Sequence, residues 1–319
     1  MERKPNLFII GAMKSGTTSL HNYLSFHPRI YMSGVKEPMH FSRQKNYGKG
    51  HRKYMKLFAA VVEEDYFGES STEYAKRPKH RGVAIRLHEF NPDAKLIYVM
   101  RDPFDRIISQ FKHMVKTNRT TNTLVEELTS DRDYLTNSYY SYQLEPYIDT
   151  FGREALFVGL FEEIIDDPSR FCSQVFQWLG IEDLEIGNTE RISNSSPKEY
   201  KSYDRHTGLG KLFYLIDGHP RIKQYVPAQL INPLKDLLLD QVTYDFRSNS
   251  FKADVAYARK LLAPMLRVWI DELRESTGLD FGRWPILQAG TQLTANEQIV
   301  ADRIRANVEK AIGRSLKGG

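Results

Sequence analysis

The apolar residues of the first 180 positions change period several times. "NLFIIG" is a short continuous apolar run ending in glycine, which predicts a core strand over 7–10. In "TTSLHNYLSFH", which follows it, Leu20, Tyr23 and Leu24 recur at helical spacing and predict a helix starting near Thr17. "DYFGES" reads as a second strand and "VAIRLHEF" as a helix closed by "NPD". "AKLIYVMRD" is the clearest buried strand in the chain, and "PFDRIISQFKHMVK" behind it opens with proline at a suitable first helical position. "EALFVGLFEEI" predicts a further strand, and "DPSRFCSQVFQWLG" a helix stopped by Gly180. Strands alternating with helices predict an α/β fold whose mostly parallel central sheet is covered on both faces.

The pattern then weakens. Residues 186–210, including "NTERISNSSPKEYKSYDRHTG", are polar without a sustained period and read as a long loop. In "RKLLAPMLRVWIDELRESTG", Leu262, Leu266, Trp269 and Leu273 form an apolar stripe, with Gly278 as its stop and Pro264 as either a kink or a first turn. Thr294 and Glu297 make a capping-box pattern ahead of Val300, Ile304 and Val308. The expected layout is therefore a body over 1–285 and an amphipathic helical tail over 286–319. The chain shows no internal repeats.

Composition narrows the class. A single cysteine, Cys172, excludes an intramolecular disulfide framework and a Cys-rich metal site, and no metal is expected. The net charge of +5 favours anionic ligands in general, yet an ordinary mixed-charge surface gives the same balance, and no nucleic-acid partner is called for. No apolar run approaches the roughly 20 residues of a membrane span. The opening "MERKPNLFIIG" runs straight into the first expected strand, so a cytoplasmic protein is the expectation.

The candidate chemistry begins at "GAMKSG", residues 11–16, a G-x-x-x-x-G loop between the first strand and helix. Backbone N–H groups at that helix start and the positive end of its dipole form an anion site. Lys14 adds a full charge, and Ser15, Thr17, Thr18 and Ser19 add short hydroxyl donors. In a nucleoside-triphosphate loop, lysine follows the second glycine and the next Ser/Thr holds Mg²⁺; here Thr17 takes the lysine's place and only the final hydroxyl survives, as Thr18. Alone, the loop is equally a plain tight turn. The second feature is "RDPFDRIISQF", which sets Arg101 at the carboxyl end of a buried strand and Ser109 on the helix after it. Ligands of open α/β sheets bind at that edge, where an arginine fork and a hydroxyl can clamp a second phosphate. By itself Arg101 also suits a local ion pair with Asp102 or Asp105.

Together the two motifs resemble the sulfotransferase family that uses 3′-phosphoadenosine 5′-phosphosulfate. "GAMKSGTTSL" is similar to its 5′-phosphosulfate loop and "RDPFDRIISQF" to its 3′-phosphate motif. The resemblance spans roughly residues 6–181, including "KEPMHF", "YQLEPYIDTFG" and "DPSRFCSQVFQWLGI", stretches of the carbohydrate and heparan-type branch. It implies a P-loop-like α/β domain. It also implies Lys14 at the transferring group and the 5′-phosphate, Ser15, Gly16, Thr17 and Thr18 around the phosphosulfate, and Arg101 and Ser109 on the 3′-phosphate. Glu37 stands where that branch has its catalytic base, with Lys36 beside it; His40 is the alternative, since cytosolic members use histidine. The branch often carries a lysine where this chain has Ser70. Lys198 lies where a nucleotide-covering loop is expected and is either a 3′-phosphate contact or a solvated loop lysine. The implied acceptor is a hydroxyl, on a glycan or on a lipid or small natural-product alcohol, held by loops over 41–66, 115–140 and 186–215. Two other readings compete: a P-loop kinase or NTPase, and a non-catalytic nucleotide-binding module.

Overall fold

The computed structural model describes residues 3–42, 47, 50–186, 199–202, 242–313 and 316. Five strands, β1 (Leu7–Gly11), β2 (Ile30–Met32), β3 (Tyr66–Ser70), β4 (Lys95–Met100) and β5 (Leu156–Leu160), form one sheet in the order β2-β3-β1-β4-β5. Every neighbouring pair in it is parallel.

Side chains alternate across a strand, and a parallel sheet buries both faces. Leu7 and Ile9 of β1 and Ile97 and Val99 of β4 accordingly pack with the helices Thr17–Leu24 and Pro168–Leu179. Phe8 and Ile10, with Leu96, Tyr98 and Met100, pack on the opposite face with the helices Val83–Phe90, Pro103–Lys116, Tyr140–Phe151 and Asn249–Thr277. Gly68 permits the closest approach between strands, because a Cβ there would fall 1.5 Å from the Leu7 carbonyl oxygen.

The expected strands and most of the expected helices form. Pro103 and Pro168 each open a helix, behind the N-caps Asp102 and Asp167. Gly180 and Gly278 end theirs in the left-handed conformation, and Thr294 with Glu297 makes the capping box of helix Ala295–Ile312. Pro264 lies inside the 29-residue helix Asn249–Thr277, well beyond its first turn. Within the stretch read as a loop, residues Glu199–Ser202 form β6, paired antiparallel with β7 (Val242–Asp245). The terminal helix shares the apolar cluster of the body: Ile304 and Val308 are fully buried in it, as is Ile286.

Candidate active site

Chain connections part at the carboxyl ends of the central strands, where β1 leads outward to β2 and β4 leads the other way to β5. Such a switch point opens a crevice. It holds a cavity of about 610 Å³ lined by Lys14, Gly16, Thr17 and Thr18 after β1, by Arg101 and Ser109 after β4, and by Lys36, Glu37 and Thr72 across from them. Motifs from three separate parts of the sequence thus meet in one place.

The β1 loop is built for an anion. Gly16, at φ 79°, caps the helix Thr17–Leu24, which has neither a side-chain cap nor an acidic residue in its first turn. Its first N–H groups and dipole end are therefore left uncompensated by the protein. Lys14 is held at φ 71°, a region that few side-chain-bearing residues occupy. Burial, reinforced by the neighbouring charges of Lys116, Arg101 and Arg106, pulls the Lys14 ammonium below the ordinary lysine range. Ser15 is fully buried, does not line the cavity, and spends its N–H on the Ala12 carbonyl (3.2 Å), so of the expected loop contacts it is the one turned away.

Phe161, at the start of helix Phe161–Asp166, links the two anion-binding motifs. A Cβ on Gly16 would sit 2.6 Å from its ring, and the Arg101 guanidinium lies over that ring at 4.9 Å. The ring positions Arg101 by cation–π attraction and demands a glycine at 16. This residue was not singled out by sequence reasoning, because it belongs to neither motif.

Glu37, at φ 59°, is fixed through both carboxylate oxygens. Oε2 accepts the Thr72 N–H at 2.9 Å, and Oε1 accepts the Lys36 ammonium at 3.0 Å and the Thr72 hydroxyl at 3.3 Å. Its side chain stays 26% exposed, toward the cavity it lines. His40 is placed differently. Its ring stacks on Tyr54 (centroids 4.2 Å apart, planes at 6°), packs against Phe41 and does not line the cavity. Burial, with His51 nearby, pushes its pKa down to about 4. His40 is thus placed inside this aromatic cluster and not on the cavity wall that Glu37 lines. Lys198 lies outside the described residues, as does most of the 186–215 stretch.

Several lining residues carried no motif. Glu73, Lys76 and Lys79 follow Thr72 around the cavity, and Glu73 is held well below the usual carboxylate range by bonds to His80 and Lys76 against the cost of its burial. His113 lines the cavity too; burial and then the charges of Lys14, Arg119, Lys116 and Lys76 push its pKa down to about 4. Ser70, where the branch often has lysine, accepts or donates a 2.7 Å bond with His21 Nδ1. Lys36, Lys76 and Lys79 supply the cations on this side of the cavity.

A doubly wound parallel sheet with a cavity at its switch point is the frame in which open α/β proteins hold their ligands. Residues 4–207 match the family described as the sulfotransferase domain, and the chain belongs to that family. Among its relatives, the human bifunctional heparan sulfate N-deacetylase/N-sulfotransferase 2 is 25% identical over 250 residues, covering 65% of this chain and 28% of its own. The mouse heparan sulfate glucosamine 3-O-sulfotransferase 3A1 is 25% identical over 242 residues, covering 73% and 59%. A sulfotransferase from Alicyclobacillus acidocaldarius is similar in structure, with a TM-score of 0.54 and 28% identity over 72% of this chain and 97% of that one. The chain spans 28% to 40% of the length of the first curated relatives it matches.

Proposed function

We propose that this chain transfers the sulfuryl group of 3′-phosphoadenosine 5′-phosphosulfate to a hydroxyl of a carbohydrate acceptor. The observation that carries the reading is the convergence of Lys14, Arg101 with Ser109, and Glu37 on one cavity. Two cationic corners suit a donor phosphorylated at both ends, and a fixed carboxylate faces the space between them and the acceptor side. The acceptor's O–H proton passes to the Glu37 carboxylate as its oxygen bonds to sulfur; the sulfur–oxygen bond to the 5′-phosphate breaks, and adenosine 3′,5′-bisphosphate departs. Lys14 and the first-turn N–H groups of helix Thr17–Leu24 stabilise the charge that collects on the departing oxygen. The heparan sulfate named in the relatives favours a sugar that carries negative charge; of the lysines lining the cavity, Lys36 and Lys76 are themselves paired with Glu37 and Glu73.

The test is transfer from radiolabelled donor to a panel of glycans and small alcohols, with excess EDTA in a parallel arm. Transfer to glycans is expected in both arms, whereas a Mg²⁺-dependent kinase stops in EDTA. Lys14→Ala should lower turnover about 10²–10³-fold, the usual cost of one such donor, with an unchanged melting temperature. Glu37→Gln should abolish transfer while bisphosphate affinity, measured by calorimetry, stays near that of the wild type. Normal turnover in either variant removes that residue from the mechanism.

A further inference from the structure

Arg106, near the cavity, is fully buried at 0% exposure, and its hydrogen bonds all go to neutral acceptors. Nε donates to the Ser138 hydroxyl at 2.6 Å, Nη1 to Gln110 Oε1 at 2.7 Å, and Nη2 to the Tyr134 carbonyl. Among the described residues no carboxylate pairs with it. A buried guanidinium without a counter-charge is costly even when hydrogen-bonded, and an anion brought near it recovers part of that cost. Gln110, one helical turn on, leads toward the cavity: it follows Ser109, lines the same cavity and is 1% exposed. Because Arg106 holds its carbonyl oxygen, the amide nitrogen is the end left to face outward. After burial and the charges of Lys116 and Arg101, the charge of Arg106 also helps hold the Lys14 ammonium below the ordinary lysine range.

We propose that Gln110, oriented and polarised by the buried guanidinium of Arg106, is a third donor to the 3′-phosphate beside Arg101 and Ser109. The inference rests on the donor assignment made above. Gln110 is then a binding residue, and Arg106 a positioning residue that acts through it. Nucleotide binding supplies the negative charge that the fold withholds from Arg106.

The experiment compares adenosine 3′,5′-bisphosphate with AMP by calorimetry, together with melting of the free protein. Gln110→Leu should weaken the bisphosphate about tenfold, the loss expected for one charge-assisted hydrogen bond, while leaving AMP unchanged. Gln110→Glu places a carboxylate on Arg106, so it should raise the melting temperature of the free protein and at the same time weaken the bisphosphate beyond the leucine variant. A purely structural role for the pair would move stability and leave the bisphosphate-to-AMP ratio alone. Wild-type discrimination in both variants overturns the proposal while sparing the donor assignment; failure of the wild type to bind bisphosphate overturns both.

Discussion

Lys14 and Glu37 share a backbone feature as well as a cavity: both sit at positive φ, 71° and 59°. Each such residue costs on the order of 1 kcal/mol, and the strain persists only where surrounding structure imposes it. Here the imposing contacts are visible, since the Glu37 N–H donates to the Ser70 carbonyl at 2.9 Å and its carboxylate is pinned by Thr72. A second carboxyl lies deeper than Glu37. Glu69 is fully buried at the end of β3; burial raises its pKa to about 7 against bonds from Tyr74, Ser71 and Tyr54, and the charge of Glu37 adds to the rise. Folding therefore takes up a proton between pH 4.5, the group's ordinary value, and pH 7, so stability falls as pH rises through that window and is level above it. Glu69→Gln should remove this slope and stabilise the protein at pH 8 by up to about 3 kcal/mol. Melting curves of the two proteins from pH 4 to 8 check it, and parallel curves would count against the assignment. Lys14 was singled out beforehand by the chemistry of its loop, and Glu37 by the resemblance of "KEPMHF" to a family stretch; the structure brings both to the cavity. Phe161 was not singled out, because the Gly16 and Arg101 it touches come from distant positions, and Gln110 was not, because its own motif does not tell that its amide holds a buried Arg106.

Among the elements, the helix Pro103–Lys116 does two jobs through its N-cap. Asp102 Oδ1 accepts the Phe104 and Asp105 N–H groups at 2.8 and 3.1 Å, while Oδ2 accepts the Ile286 N–H at 2.9 Å. One buried side chain thus starts the helix that carries Ser109 and ties down the segment leading to the terminal helix. Asp102→Ala should cost about 2–4 kcal/mol, a lost cap plus a stranded buried N–H, read from denaturant midpoints; Asp102→Asn, which keeps an acceptor, should cost less. The helix starts and stops were readable in advance from Pro103, Pro168, Gly180, Gly278 and Thr294. The elements that escaped notice fail the pattern for physical reasons. β2 is three residues long, too short to show a period. β6 draws its partner from residues 242–245, more than 35 positions away, and nothing in its own composition announces that pairing. Helix Asn249–Thr277 begins earlier than the stripe that was read: Phe251, Val255 and Ala258 extend it at helical spacing ahead of Leu262, but as scattered single apolar positions among charged ones.

Across the whole molecule, the sheet divides the interior into two apolar clusters, and the terminal helix belongs to the larger one. Ile304 and Val308 lie in it at 0% exposure, and Asn307 Nδ2 donates to the Thr129 carbonyl at 2.8 Å. Ile304→Ala should therefore destabilise the entire protein by about 2–5 kcal/mol, in the range of other buried large-to-small changes. A single cooperative transition moved to lower temperature is expected, and loss of the terminal helix alone with an unmoved main transition would contradict it. The α/β class and the shared rim of the two phosphate motifs were legible at this scale, because alternation of strands and helices leaves few topologies open.

The position of β1 has a consequence for biosynthesis. Although its loop occupies residues 11–16, β1 is flanked by β3 and β4, from 66–70 and 95–100, and Gly16 packs on Phe161. Residues 7–16 thus acquire all of these neighbours only once the chain has reached Phe161. A chain truncated before position 161 lacks the ring that Gly16 and Arg101 both rest on, so no shorter piece carries this wall of the cavity intact.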